Sequence, residues 1–126
     1  ILFANRIPVE DHLKRIGLID LFLDTFPYNA HTTAREAIKM KVPVITIIGE
    51  SFVSRVAGSL LSNIGLEKLI VNNFEEYIET ATMIASNIKK FKEIKMHLKQ
   101  DKNTKTLFDS KNYTKDLEKI YKSIVT

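Results

Sequence analysis

Leu21-Phe22-Leu23-Asp24-Thr25-Phe26-Pro27-Tyr28-Asn29-Ala30-His31-Thr32-Thr33-Ala34-Arg35-Glu36 reads as an apolar strand, a turn broken by Pro27, and a helix that opens on two threonines. Hydroxyls and unpaired helix N–H groups then face whatever lies beyond the strand's carboxyl end. Their geometry and the sign of the helix dipole both suit an anion, so the stretch reads as a phosphate cradle. A plainer reading also fits. Thr33-Ala34-Arg35-Glu36 matches the Ser/Thr-x-x-Glu capping box, in which the two side chains merely satisfy orphan N–H groups. A capped helix can still take an anion, so the two readings are compatible.

Working outward, the residues at 42–48 form a β-branched run that stops at Gly49, with Pro43 near its start where a missing donor is tolerable. Leu69-Ile70-Val71 makes a further short strand, 18–23 the strand that leads into Asp24, and the continuous apolar run 1–4 a strand covered on both faces. Helical patterns fall at 8–16, 32–41 and 52–64, the last with Gly65 as its C-terminal cap. Asn72 or Asn73 caps the next helix, which carries Phe74, Tyr77, Ile78, Ala81, Ile84, Ala85 and Ile88 at helical spacing and continues or breaks near Lys89. A lysine-rich helix reaches Gln100, residues 101–110 form a polar connection, and a last helix spans 112–125. Strands alternating with helices at these spacings predict right-handed βαβ crossovers and a Rossmann-like parallel α/β sheet. Ligands of such sheets bind beyond the carboxyl ends of the strands, where 5–9, 24–33 and 49–51 all fall.

The chain's 126 residues, 44% of them hydrophobic, suit a single domain. Cysteine is absent, which excludes disulfides and thiolate metal sites and is compatible with a cytoplasmic setting. No apolar run approaches the roughly 20 residues that span a bilayer. The net charge of +4 is unevenly placed: residues 1–88 hold 8 basic against 10 acidic side chains, and the remainder 11 lysines against 5 acids. Lysines without interleaved arginine and aromatic groups read as a solvated face, so no nucleic-acid partner is expected. Because residue 1 is Ile inside an apparent strand, a piece of a longer protein is expected.

The three histidines, at 12, 31 and 97, lack metal-ligand spacing, and no nucleophile elbow, Walker or dinucleotide-binding motif is present. What remains is the 29–33 loop with Glu36. Thr32, Thr33 and His31 could hold a diphosphate; Glu36 would repel a phosphate but could accept hydrogen bonds from two ribose hydroxyls. That combination suits a nucleotide better than bare phosphate. Residues 7–15 lie on the neighbouring loop and helix, where base contacts would be needed.

These residues, together with Val42-Pro43-Val44-Ile45-Thr46 and Gly49-Glu50-Ser51-Phe52-Val53-Ser54-Arg55-Val56-Ala57, closely resemble the C-terminal catalytic region of O-GlcNAc transferases. The related SPINDLY proteins, protein O-fucosyltransferases, share much of the pattern, which extends to Asn73-Phe74-Glu75-Glu76-Tyr77 and to the stretch from Leu107 to Thr114. The resemblance implies the C-terminal, donor-binding half of a GT-B glycosyltransferase that moves a sugar from a nucleotide donor to Ser or Thr of proteins without a metal cofactor. It implies base contacts from Ile7, His12 and Arg15, diphosphate contacts from His31, Thr32 and Thr33, and a ribose contact from Glu36 in place of the family's usual Asp. The acceptor protein would be held by regions upstream, including a repeat superhelix, and the diphosphate-binding lysine would also lie there. No catalytic residue is then expected within this piece, which alone would be inactive.

Two departures bear on the donor. Ala30 replaces a glycine, which restricts the turn if that position needs positive φ, and Val9 replaces a basic residue. The segment from Glu50 to Arg55 is more similar to O-GlcNAc transferases, favouring UDP-GlcNAc over the GDP-fucose of SPINDLY-like enzymes. The same departures leave open a scaffold that has lost activity. A response-regulator-like domain would need a phosphorylatable Asp in an acidic pocket, and only Asp24 is suitably placed.

Overall fold

The computed structural model describes residues 1–125. Three parallel strands, β1 (Phe22–Leu23), β2 (Val44–Ile47) and β3 (Ile70–Val71), lie in the order β1-β2-β3. Helix α1 (Val9–Ile16) precedes the sheet; α2 (Thr32–Lys39) and α3 (Val56–Asn63) are the two crossovers and so share one face by the right-handed rule. Helix α4 (Phe74–Ser86) also packs on β2, and α5 (Ile88–Lys99), the short α6 (Asp101–Thr104) and α7 (Ser110–Val125) complete the chain. The Rossmann-like α/β expectation is met.

β2 is buried along its whole length, which is why its sequence is a continuous apolar run broken only by Thr46. Against it α2 presents Ala34, Ala37 and Ile38, spaced three and four apart and no more than 1% exposed. The alanines bring the helix close to the sheet, and burial of Ile38 alone is worth about 2–3 kcal/mol. Ile64, Leu66, Leu69, Ile84, Ile94 and Leu98 extend the same core under α3, α4 and α5.

Several expectations need correction. Residues 1–4 form no strand: Ile1, Leu2 and Phe3 are at least 94% exposed, because an apolar run reports a demand for burial and cannot supply the neighbouring strand. The strand expected at 18–23 shrinks to two residues. Leu18 and Ile19 donate to the carbonyls of Arg15 and Ile16, which keeps them in the turn that ends α1. The helix expected at 52–64 is a 3-10 turn, Phe52–Ser54, followed by α3, since Ser54 bonds back to Ser51 while its carbonyl accepts from Gly49. The connection at 101–110 is mostly helical, comprising α6 and a further 3-10 turn, Lys105–Phe108.

Other signals were sound. Gly65 follows α3 with φ +71°, Asn73 caps α4 by accepting from Glu76 N at 2.8 Å, and Asn87 breaks the chain between α4 and α5 by capping the latter.

Candidate nucleotide site

The loop between β1 and α2 is built around one carboxylate. Asp24 is 6% exposed; its Oδ1 accepts from the backbone N–H of Thr25 at 2.9 Å and of Ala30 at 2.7 Å, and its Oδ2 accepts from the Thr46 hydroxyl at 2.6 Å. Asn29, buried to 1%, donates through Nδ2 to Thr25 O, and its own N–H donates to Val53 O at 2.9 Å, tying this loop to the one after β2. Tyr77 reaches over from α4, its hydroxyl donating to Asp24 O at 2.9 Å. Asp24, Thr46 and Tyr77 carry the loop's geometry, and none was singled out for it from sequence. The available signal was a threonine inside an otherwise apolar, fully buried strand, since a buried hydroxyl needs a partner. With both oxygens taken by protein donors, Asp24 is not presented as a phosphorylatable carboxylate.

Ala30 has no positive φ, so the backbone there carries no glycine requirement. Gly49 does face a close approach. A Cβ added to it would lie 2.8 Å from Ser54 Cβ and 3.2 Å from the Phe26 ring, so the turn after β2 has no room for a side chain.

The capping box is not formed. His31, not Thr33, occupies the N-cap position of α2 with no side-chain cap bond, and both threonines lie inside the first turn. Thr32 and Thr33 are exposed, and their hydroxyls have no hydrogen-bond partner among the described residues. His31 is stacked on Tyr28, centroids 5.2 Å apart at 15°, and meets the edge of Phe52 at 6.1 Å. Its Nε2 and the Asn29 Oδ1 are buried and have no hydrogen-bond partner among the described residues.

One turn further along α2, Glu36 faces α1. A cavity of about 380 Å³ is lined by Ala4, Asn5, Arg6, Ile7, Val9, His12, Arg15 and Glu36. Arg15 donates through Nη1 to Asn5 O at 3.0 Å and through Nη2 to His12 Nδ1 at 3.0 Å. The guanidinium has no acceptor, so Nδ1 accepts and the imidazole proton of neutral His12 sits on Nε2, 3.9 Å from Glu36 Oε2. Ile7, His12, Arg15 and Glu36 are thus brought together at one cavity. His31, Thr32 and Thr33 stand beside it at the start of the same helix, with Thr32 and Glu36 four apart on one face. Among the described residues, no group of three His, Asp or Glu side chains is placed to hold a metal ion.

A parallel α/β sheet with its polar loops gathered beyond the strands' carboxyl ends defines a Rossmann-like protein. The family model described as glycosyl transferase family 41 matches residues 1–117, and the chain belongs to that family. A tomato relative named as a probable UDP-N-acetylglucosamine–peptide N-acetylglucosaminyltransferase SPINDLY is 37% identical over 115 residues, 91% of this chain and 12% of the relative. The Arabidopsis thaliana protein with the same enzyme description, SEC, is 38% identical over 122 residues, 96% of this chain and 12% of the relative. In three dimensions the fold is similar to a mutant of the O-GlcNAc transferase of Thermobaculum terrenum, with a TM-score of 0.83 and 33% identity over 91% of this chain and 22% of that one. The fold is therefore that of part of a GT-B glycosyltransferase. The chain spans about an eighth of the length of the curated relatives it matches. Among the described residues no helix is long and apolar enough to cross a membrane.

Proposed function

We propose that this chain is the nucleotide-sugar-binding part of a protein O-glycosyltransferase that transfers GlcNAc from UDP-GlcNAc to Ser or Thr. One observation carries the reading: α2 presents two unpartnered threonine hydroxyls in its first turn, and its next turn places Glu36 at the cavity shared with His12, Arg15 and Ile7. The threonine hydroxyls, the free N–H groups and the His31 backbone take the diphosphate, and the helix dipole favours the charge that builds on it as the sugar departs. Glu36 accepts from the ribose hydroxyls. Its distance from the first turn, about 6 Å along the axis, separates it from the phosphates. His12, already oriented by Arg15, and the Ile7 backbone face the base.

This electrostatic arrangement asks for no metal. The names of the relatives support a UDP-sugar and a peptide acceptor, with acceptor binding and the catalytic groups contributed by other parts of the parent protein. Residues 1–126 on their own then bind donor without transferring sugar.

The test is a titration of UDP-GlcNAc, UDP and GDP into the chain, following backbone amide shifts. UDP-GlcNAc and UDP are expected to move residues 7–15 and 30–36, with GDP weaker. Stronger perturbation by GDP would assign a GDP-sugar donor instead, and the absence of shifts in both segments with all three ligands would overturn the reading.

A further inference from the structure

The end of α2 remote from the threonines opens onto a second cleft, of about 730 Å³, lined by Lys39, Lys41, Lys105 and Lys111 together with Phe108. Only Lys41 is engaged: its Nζ donates to Asp101 Oδ1 at 3.4 Å and to the buried Thr104 hydroxyl at 3.2 Å, tying α6 to the turn before β2. Lys41 does so from a left-handed backbone, φ +62°, where glycine or asparagine would sit more easily. The ammonium groups of Lys39, Lys105 and Lys111 have no ion pair or hydrogen bond among the described residues. Of the two carboxylates at the cleft, Asp101 serves Lys41, and Asp109 accepts from the N–H and side chain of Asn112 at the start of α7.

We propose that this cleft binds an acidic polypeptide segment. Three free ammonium groups spread around an open cleft match carboxylates spaced along a chain. The two resident aspartates repel a densely charged strand, such as nucleic acid or polyphosphate, at the points where a peptide would place its neutral residues. Phe108 and the aliphatic lysine stems supply apolar contact for those residues, with Arg35 over one face of the ring at 5.0 Å. No second aromatic ring lines the cleft to stack a base. Lys39 of this cleft and Glu36 of the His12 cavity are three residues apart on α2, so the two sites are neighbours with separate linings.

The test uses a fluorescein-labelled peptide alternating Glu with Leu and Ala, followed by anisotropy and by amide shifts in this chain. Saturable binding, weakened by salt, with shifts in residues 39–41 and 104–111, is expected. The combined substitution Lys39→Glu, Lys105→Glu and Lys111→Glu should weaken it roughly tenfold or more, as three modest charge contacts are lost. Lys89→Glu, Lys90→Glu and Lys92→Glu on α5 make the same charge change outside the cleft and should alter it less than about twofold. Equal loss in the two sets, non-saturable binding, or cleft shifts caused by single-stranded DNA but not by the peptide would overturn the proposal. Thermal unfolding checks each variant, and the Gln versions at 39, 105 and 111 replace the Glu ones if those fail to fold.

Discussion

The Thr46 hydroxyl donates to Oδ2 of Asp24 at 2.6 Å, joining β2 to the residue that follows β1. Because Oδ1 of the same carboxylate holds the N–H groups of Thr25 and Ala30, the loop is closed on itself and fastened to the sheet by one side chain. Connecting loops are ordinarily the mobile part of an α/β fold. Here the position of the first turn of α2, and so of Thr32 and Thr33, is set by a buried hydrogen-bond network.

Asp24→Asn should therefore destabilise the chain by about 2–3 kcal/mol, since it leaves a buried amide facing the Thr46 donor. Thr46→Val removes one donor and should cost about 1–2 kcal/mol. In a double-mutant cycle read by urea denaturation, the pair should show a coupling of at least about 0.5 kcal/mol. Additive losses would mean that the two side chains do not interact.

Tyr77 gives the same network a pH signature. Burial, then the negative charge of Asp24, pushes its hydroxyl from 10.0 up to about 12. Between these values the unfolded chain has released the phenolic proton and the folded chain still holds it, so stability falls as pH rises through that window and is fully present below it. Tyr77→Phe should flatten the decline between pH 10 and 12, while costing about 1 kcal/mol at neutral pH through the lost bond to Asp24 O. An unchanged slope in Tyr77→Phe, measured by denaturant titration at several alkaline pH values, would contradict the assignment.

The sheet was readable because β2 must be apolar on both faces and α2 must be small and apolar where it crosses it, and both demands leave a periodic trace. Residues 1–4 show where that reasoning stops: Leu2 and Phe3 carry the trace of a strand, but pairing depends on a neighbour that composition does not reveal. That residues 7–15 neighbour Glu36 was legible from the order of the elements, whereas the particular side chains Ile7, His12 and Arg15 followed from the family resemblance alone. The Asp24 network was not legible, since its contacts join positions 22 and 53 residues apart. The capping box failed for a related reason. A Thr-x-x-Glu pattern specifies a possible pair of bonds, and the chain entered α2 two residues early, at His31, leaving both side chains to other uses.

That displacement separates the two readings of Thr33 by experiment. A capping residue replaced by one that cannot accept costs about 1 kcal/mol, and Asn73→Ala, at the true cap of α4, should lose that amount. Thr33→Val should change stability by less than about 0.5 kcal/mol, because it preserves the β-branched shape at a helical position whose hydroxyl has no hydrogen-bond partner among the described residues. If the hydroxyl instead serves a diphosphate, the same variant should weaken UDP binding by about ten- to a hundredfold, the loss of one hydrogen bond to a charged group. Thermal unfolding and nucleotide titration of both variants decide the matter. A stability loss in Thr33→Val equal to that of Asn73→Ala, with UDP affinity unchanged, would return Thr33 to a purely structural role.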